Sequence, residues 1–401
     1  MNPDNLLSLL KNNQEHFRAK LVRPTNNCSH IIIFFYFCAK IQPVVQQFYS
    51  LEIDFLEHQT EDSTVIGFNT KEVPEGVFDF KAGQNITIKY YFDGEEIRRS
   101  YSICTCPSES RIHIGVRAIK DGLFSNFALK NLKVGDRLDI LPPVGSFTIQ
   151  GKMATSGRYV FFATGSGITP VISMIKDKLE KDPAATCTLF YSNRSVGSMM
   201  FRDELDGIKN KYSTRFQAVY LFSREQLDSD LLYGRMDEDK VRQLMNIFVT
   251  DKAGSQYFIC GPEEQTIAIR NLLTKELGIP SGQVHFELFH TGDLKPEVKS
   301  QEEVTDFKGT AEVTVRIDGK ETTFHLAYDK ESILDAGIRQ GLDLPYSCKG
   351  GVCCTCRAQL LEGKVHMDQN YALEDDEVEE GFILTCQSHP RAGKLFVDYD
   401  V

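Results

Sequence analysis

Four cysteines fall within nine residues near the end of this 401-residue chain. They are Cys348, Cys353, Cys354 and Cys356, in the stretch CKGGVCCTC, and Cys386 follows Cys356 after 29 intervening residues. A loop that collects so much sulfur must wrap closely around whatever the sulfur binds. The two glycines in this loop allow such wrapping because they carry no side chain.

The spacing C-x4-C-x2-C with one distant cysteine is typical of a plant-type 2Fe–2S cluster held by four thiolates. A four-cysteine zinc site is the alternative, but zinc sites usually present two C-x2-C pairs and only one is found here. We therefore predict Cys348, Cys353, Cys356 and Cys386 as the metal ligands. Cys354 would give the wrong spacing on both sides, and we predict it as a small buried side chain.

Composition restricts the class of protein. The chain has 11 cysteines, five of them between Cys348 and Cys386, a clustering that indicates metal binding rather than a disulfide framework. A reducing cytoplasm is the expected location. The net charge of -11 argues against nucleic acid or an acidic membrane as the main partner.

Residues 1–45 are predicted to be an N-terminal extension of uncertain status. Residues 31–39 form an uninterrupted apolar run, about half of the ~20 residues that a membrane-spanning helix requires. A long polar lead and the lack of a small-residue cleavage pattern argue against a signal peptide. We expect no membrane span and no catalytic role for this segment.

The remaining chain changes its pattern twice, which predicts a multidomain protein. Residues 46–150 contain short alternating runs between turn residues, typical of an antiparallel β-barrel. In residues 151–290 buried strands alternate with amphipathic helices, typical of an α/β domain with a parallel sheet. Residues 291–308 are polar and aperiodic and are the predicted linker, and residues 309–401 form an α+β unit that holds the cysteine loop.

One segment of the α/β region predicts a phosphate site. The buried strand RYVFFAT runs into Gly165 and Gly167, and a helix is predicted to begin at Pro170. A glycine turn between a strand and a helix N-terminus exposes backbone N–H groups to a dinucleotide phosphate. The third glycine of the common fingerprint is absent, so this segment departs from the usual dinucleotide pattern at that position.

Two stretches carry a resemblance to known families. LPYSCKGGVCCTC and LTCQ resemble plant-type ferredoxins, which implies a β-grasp fold for residues 309–401. RRSYSICTCP resembles the R-x-Y-S motif of the ferredoxin-NADP reductase superfamily. That resemblance implies that Arg99 holds the FAD pyrophosphate, that Tyr101 covers the isoalloxazine ring and that Ser102 lies near its N5 atom.

The same resemblance assigns further residues. GVRAIKDGLFSNF implies flavin phosphate contacts, ATGSGITP has the G-x-G-x-x-P form usual in this superfamily, and ICGP resembles its nicotinamide-side motif. Tyr101, Ser102 and Cys260 are the predicted catalytic residues. HFELF resembles a terminal motif near the flavin, although a plain edge strand would look similar. The implied cofactor-binding residues, besides those of R-x-Y-S, are Arg117, Gly122, Ser125, Gly165, Gly167, Thr169, Pro170, Gly261, Pro262, Glu287 and Phe289.

The predicted electron donor is NADPH, with NADH less favoured. A nucleotide fold that prefers NADH usually carries an acidic residue at the end of its second strand. Here that strand ends in YSNRSVGS, which has no acid. Asn193, Arg194 and Ser195 are instead available to bind a 2′-phosphate.

The architecture most resembles the reductase subunits of phenylacetyl-CoA epoxidases. It implies an NAD(P)H-dependent oxidoreductase that passes electrons through FAD and a 2Fe–2S cluster to an oxygenase. A reductase serving a Rieske-type aromatic-ring oxygenase and a non-catalytic redox adaptor are the alternatives. FMN remains open beside FAD, because FMN reductases can also carry R-x-Y-S.

Overall fold

The computed structural model describes residues 47–150, 157–227, 229–289, 307–373 and 375–401. All of them belong to one unit, Val45–Val401. The predicted N-terminal extension lies outside the described residues, as does the predicted linker except for its last two residues. Among the helices of the described ranges, none is both long and apolar enough to cross a membrane.

The first sheet is antiparallel and has six strands in the order β4-β3-β6-β1-β2-β5. The strands are β1 (Tyr49–Thr60), β2 (Ser63–Asn69), β3 (Asn85–Phe92), β4 (Glu95–Ser102), β5 (Ile112–Arg117) and β6 (Arg137–Val144). A bridge between Ile103 and Ile114 joins the two edge strands and closes the sheet into a barrel. Alternate apolar residues such as Ile66 and Ile88 fill its interior, and helix α1 (Leu123–Lys130) packs against it through Phe124.

The second sheet is parallel, with five strands in the order β11-β10-β7-β8-β9. The strands are β7 (Arg158–Thr164), β8 (Thr186–Asn193), β9 (Phe216–Phe222), β10 (Gln256–Pro262) and β11 (Val284–Phe289). The helices are α2 (Ile168–Lys181), α3 (Arg202–Lys211), α4 (Glu238–Phe248) and α5 (Glu263–Asn271). Two apolar clusters cover the two faces of the sheet. The chain leaves β7 to one side and later returns to the other with β10, so the strand order reverses beside β7, where ligands of such folds bind.

The C-terminal sheet has five strands in the order β13-β12-β18-β14-β16, and β15 pairs with β17 apart from it. The elements are β12 (Thr310–Ile317), β13 (Lys320–Ala327), α6 (Ile333–Arg339), β14 (Arg357–Glu362), β15 (Val365–Met367), α7 (Asp375–Glu379), β16 (Phe382–Leu384), β17 (Ser388–Pro390) and β18 (Lys394–Asp398). The Ser332 side chain caps α6 by accepting from the Asp335 N–H. The apolar face of α6, with Ile333 and Leu334, packs into the core of this sheet.

The predicted fold class is confirmed: an antiparallel flavin-type barrel, a parallel α/β sheet and an α+β ferredoxin-type domain. One boundary differs. The helix predicted to begin at Pro170 begins at Ile168, because Gly165–Gly167 form a 3-10 turn that runs directly into it.

Candidate redox site

The cysteine loop owes its path to residues with left-handed backbone conformation. Lys349 has φ 51° and Gly351 has φ 71°. A Cβ atom at Gly351 would lie 2.8 Å from the Gln369 carbonyl oxygen, so only glycine fits there. The Tyr371 N–H donates to the Gly351 carbonyl at 3.0 Å and ties the loop to the segment beyond β15.

The four predicted ligands lie together as two pairs of thiols. The Cys353 and Cys348 sulfurs are 3.1 Å apart, and hydrogen bonding with Cys353 lowers the pKa of Cys348. Contact with the Cys386 thiol raises the pKa of Cys356 well above its usual value. A single zinc ion would need all four sulfurs around one point, whereas two pairs supply two thiolates to each iron of a 2Fe–2S cluster.

Backbone donors around these sulfurs also suit a cluster with negative charge. The Gly350 N–H donates to the Cys348 sulfur at 3.4 Å, and the Val352 N–H also lowers the pKa of Cys348. Such N–H groups stabilise thiolate, the form that binds metal. The donor set and its surroundings therefore fit a 2Fe–2S cluster.

Cys354 belongs to neither pair. Its thiol donates to the Ala372 carbonyl at 3.3 Å and lies 3.8 Å from the Ser146 hydroxyl of the barrel. The sequence predicted a small buried side chain, and the structure shows Cys354 partly buried. Besides these two polar contacts, the side chain packs against the apolar core of the C-terminal sheet.

Strand β4 carries the R-x-Y-S residues on alternate faces. The Tyr101 ring packs against Phe124 of α1 with centroids 5.6 Å apart, and burial raises the pKa of Tyr101 above its usual range. Arg99 is exposed, whereas Ser102 is buried on the other face of the strand.

The turn before α1 places two predicted phosphate ligands together. A Cβ atom at Gly122 would lie 2.4 Å from the Ser125 hydroxyl, which explains the glycine. That hydroxyl accepts from the Ile119 N–H at 3.3 Å and so fixes the turn. Helix α1 begins at Leu123, immediately after this turn.

Arg117 lies where the barrel meets the parallel sheet. Its guanidinium forms an ion pair with Asp62 at 3.2 Å and hydrogen-bonds the Ser198 carbonyl. The same group is 3.2 Å from the position of a Cβ atom at Gly165. The structure therefore places Arg117 beside the glycine turn rather than beside Gly122.

The glycine turn is packed against the end of β10. A Cβ atom at Gly167 would lie 2.1 Å from the Cys260 carbonyl oxygen, and one at Gly261 would lie 3.0 Å from the Thr164 side chain. Thr169 and Pro170 are buried in α2, and the Thr169 hydroxyl donates to the Ser166 carbonyl at 3.0 Å. These glycines bring the phosphate turn and the C-G-P segment into direct contact.

Ser102 and Cys260 both lie beside the carboxylate of Glu287, and these three predicted residues come from three different strands. Glu287 of β11 accepts from the Ser102 hydroxyl at 3.3 Å and lies 3.9 Å from the Cys260 sulfur. The surrounding protein raises the pKa of Glu287 to about 8, mainly through burial. Burial likewise raises the pKa of Cys260 well above its usual value. Phe289, at the end of β11, packs on the core between the sheet and α2.

The predicted 2′-phosphate residues follow β8. Asn193 is buried, and although its amide lies near the Tyr191 hydroxyl, neither of its polar atoms makes a well-formed hydrogen bond. Arg194 is exposed. The Ser195 backbone accepts from and donates to Ser198.

The sequence pattern did not indicate several residues of this region. The Glu225 carboxylate accepts from the Val196 N–H at 2.8 Å, although it lies beyond β9. Arg98 and Ser100 of β4 contact the ferredoxin-type domain. The alternation of side chains along β4 could have indicated them, because it places Arg98 and Ser100 on the other face of the strand from Arg99 and Tyr101.

Three domain families match this chain in order. They are the oxidoreductase FAD-binding domain over residues 51–149, the oxidoreductase NAD-binding domain over residues 161–270 and the 2Fe-2S iron-sulfur cluster binding domain over residues 315–391. They correspond to the barrel, the parallel sheet and the sheet with the cysteine loop. The chain is thus an oxidoreductase with FAD, NAD(P) and 2Fe–2S domains.

Two relatives match this chain over nearly their whole length. The chain is 41% identical to one of the subunits of 1,2-phenylacetyl-CoA epoxidase of Escherichia coli K12, over 88% of this chain and 98% of that protein. It is 29% identical to the 3-ketosteroid-9-alpha-monooxygenase ferredoxin reductase component of Rhodococcus rhodochrous, over 87% and 96% of the two chains.

A solved structure shows the same fold. Phthalate dioxygenase reductase superimposes with a TM-score of 0.54 at 22% identity, over 89% of this chain and 99% of that one. The domains and the relatives fit electron transfer from NAD(P)H through a flavin and a 2Fe–2S cluster to an oxygenase. The chain belongs to the same family of flavin and iron–sulfur reductases as this 1,2-phenylacetyl-CoA epoxidase subunit.

Proposed function

We propose that this chain delivers electrons from NADPH, through FAD and a 2Fe–2S cluster, to the oxygenase component of a phenylacetyl-CoA epoxidase. The observation that carries the assignment of the acceptor is the 41% identity to the epoxidase subunit of Escherichia coli, over 98% of that protein. Reductase components named for other monooxygenases are less similar.

We assign the residues at the barrel and sheet junction to donor and flavin positioning. The flavin accepts a hydride and the cluster takes up electrons one at a time when both are bound. Ser102 and Cys260 converge on Glu287, so this cluster of side chains fixes the surface on which the nicotinamide and the isoalloxazine ring would meet. Arg99, Gly122 and Ser125 would hold the flavin phosphates, and Gly165 and Gly167 those of the nucleotide.

The preference for NADPH rests on the segment after β8. Arg194 is exposed there, and the buried Asn193 amide lacks a well-formed hydrogen bond. A guanidinium beside an amide and the Ser195 hydroxyl suits a 2′-phosphate, which needs positive charge and several donors. The Glu225 carboxylate, which comes from beyond β9, accepts a hydrogen bond from the Val196 N–H of this segment.

A cytoplasmic location is part of the proposal. The nine cysteines that the structure describes are free thiols. Such thiols, and a cluster that depends on four of them, persist in a reducing compartment.

Reconstitution tests the proposed acceptor. The purified reductase and NADPH are combined with the oxygenase component of a phenylacetyl-CoA epoxidase or, in parallel, with a Rieske-type oxygenase. We expect epoxide formation coupled to NADPH oxidation only with the first. Product from the second alone would overturn the acceptor, and failure to reduce ferricyanide with NADPH would support a non-catalytic adaptor.

A further inference from the structure

Strand β4 contacts both the predicted flavin site and the domain that holds the cluster. On one face it presents Arg99 and Tyr101, which are predicted FAD contacts. On the other face it presents Arg98 and Ser100, and both bind the ferredoxin-type domain. Because side chains alternate along a strand, neighbouring positions serve two different domains.

Two residues of the barrel, Glu96 and Phe48, contact the Arg98 guanidinium. Its Nε donates to Glu96 at 2.7 Å, and its guanidinium lies 4.9 Å from the centroid of the Phe48 ring. The side chain is only 7% exposed. A buried guanidinium needs partners for all its N–H groups, so the two terminal nitrogens must be satisfied by another domain.

The partners come from the segment that leads into the first cluster ligand. Arg98 Nη1 donates to the Leu344 carbonyl at 3.3 Å and Nη2 to Asp343 at 3.2 Å. The guanidinium also lies 4.3 Å from the centroid of the Tyr346 ring. The Asp343 side chain is 85% exposed, so water screens that ion pair, and the buried bond to Leu344 and the contact with the partly buried Tyr346 ring carry most of the attraction.

Ser100, two residues beyond Arg98 on the same face of β4, also contacts the segment before the predicted cluster ligands. The Ser100 and Ser347 hydroxyls are 2.7 Å apart. Ser347 precedes the ligand Cys348, and Ser100 precedes Tyr101. This hydrogen bond and the adjoining backbone therefore connect the strand of the flavin motif with a predicted cluster ligand. A second contact, from the Tyr371 hydroxyl to Glu263 at 3.4 Å, joins the same domain to the parallel sheet.

We propose that Arg98 is a positioning residue that clamps residues 343–347 onto β4 and so holds the cluster within electron-transfer reach of the flavin. The clamp does not depend on which oxygenase accepts the electrons. The step it serves is internal: reduced flavin loses one electron and the oxidised cluster gains it.

Anaerobic stopped-flow mixing of the full chain with NADPH tests the clamp, because flavin reduction and cluster reduction are followed separately. In Arg98→Ala we expect unchanged flavin reduction and cluster reduction slowed by about tenfold, since that rate scales with the docked fraction. FAD content, iron content and the cluster midpoint potential should stay as in the wild type. Arg137→Ala is the matched control, because this exposed arginine pairs with Glu52 and Glu72 on the same barrel.

Cluster reduction at the wild-type rate in Arg98→Ala would overturn the proposal. Equal slowing of both steps, or a changed midpoint potential, would also overturn it, because these would indicate a damaged barrel or a retuned cluster. If Arg98→Ala does not fold, Tyr346→Ala removes the stacking partner from the other side of the contact. Slow cluster reduction with normal flavin reduction is expected there, and normal rates for both steps would refute the clamp. If NADPH does not reduce the flavin of the wild-type protein, that result would instead refute the proposed donor.

Discussion

The cysteine loop and the junction, formed by Ser102, Cys260 and Glu287, are two proposed redox sites built in opposite ways. Three of the predicted cluster ligands fall within nine residues, and the fourth lies in the turn between β16 and β17. The three residues of the junction come from β4, β10 and β11 and from two different sheets. The first site is specified by local chain path, and the second exists only when two domains pack together.

This difference predicts different responses to substitution. A local site with four ligands should fail as a whole when one ligand is lost, since each thiolate binds metal directly. A junction assembled from packed elements should instead be weakened gradually by changes in steric fit, in charge or in pH. The following variants test that contrast in order of expected effect.

Removal of one thiol should abolish the cluster. In Cys386→Ala we expect no stoichiometric iron and sulfide and no cluster absorbance, because three thiolates do not complete the two pairs. FAD content should be normal. Cys354→Ala is the matched control, since this neighbouring thiol belongs to neither pair, and it should keep its iron. Iron loss in Cys354→Ala with retention in Cys386→Ala would reverse the ligand assignment.

A methyl group added at Gly167, which packs against Cys260 of the junction, should destabilise the nucleotide domain. The Cβ atom of Gly167→Ala would meet the Cys260 carbonyl at 2.1 Å, which we expect to cost about 3 kcal/mol of unfolding free energy by overpacking. Gly207→Ala is the control: nothing lies within 4 Å of the new methyl in α3, so it should stabilise by about 0.5–1 kcal/mol through helix propensity. Chemical denaturation of both variants measures the effects, and a neutral Gly167→Ala would show that the turn and β10 can separate.

Loss of the predicted 2′-phosphate contact should change donor choice. Arg194→Ala should lower the ratio of kcat/KM for NADPH over NADH by about tenfold to a hundredfold, the value of a hydrogen bond to a charged group. Arg158→Ala provides the control, because Arg158 lies at the start of β7, at the opposite end of the parallel strands from Arg194, and pairs with Asp251 at 3.0 Å. An unchanged ratio in Arg194→Ala would remove this residue from the donor site.

The smallest expected effect is a pH dependence of stability. The pKa of Glu287 is raised to about 8 by burial. Between its usual value and that one, the unfolded chain has lost this proton and the folded chain keeps it, so stability falls as pH rises. The slope is at most about 1.4 kcal/mol per pH unit, and because Glu287 is only partly buried from solvent, screening by water reduces the total to a small part of that limit.

Glu287→Gln removes the titrating group and should remove this slope. The difference in Tm between wild type and Glu287→Gln, measured at about pH 5 and about pH 8, isolates the effect from all other titrations. A difference that does not change with pH would show that Glu287 ionises at its usual pKa.

The sequence predicted those features that depend on local chain geometry. The cysteine spacing, the glycine turn and the alternation of strand and helix are consequences of how a few neighbouring residues can fold. The packing of Gly167 on Cys260 depends on how two distant segments of one sheet meet, and the position of Arg117 beside Gly165 and the burial of Thr169 depend on how two domains meet. Arg98 shows the limit most clearly: it adjoins Arg99 in RRSYS, but only the docked domain reveals that it binds Leu344 and Tyr346.

Electron delivery by Cys386→Ala tests the central claim most directly, namely that electrons leave the flavin through the cluster. The variant and the wild type are each given NADPH and the oxygenase component of a phenylacetyl-CoA epoxidase, and product is measured beside ferricyanide reduction. We predict that the variant reduces ferricyanide like the wild type and yields no product above background. Product at the wild-type rate would contradict the account, because the flavin would then feed the acceptor without the cluster.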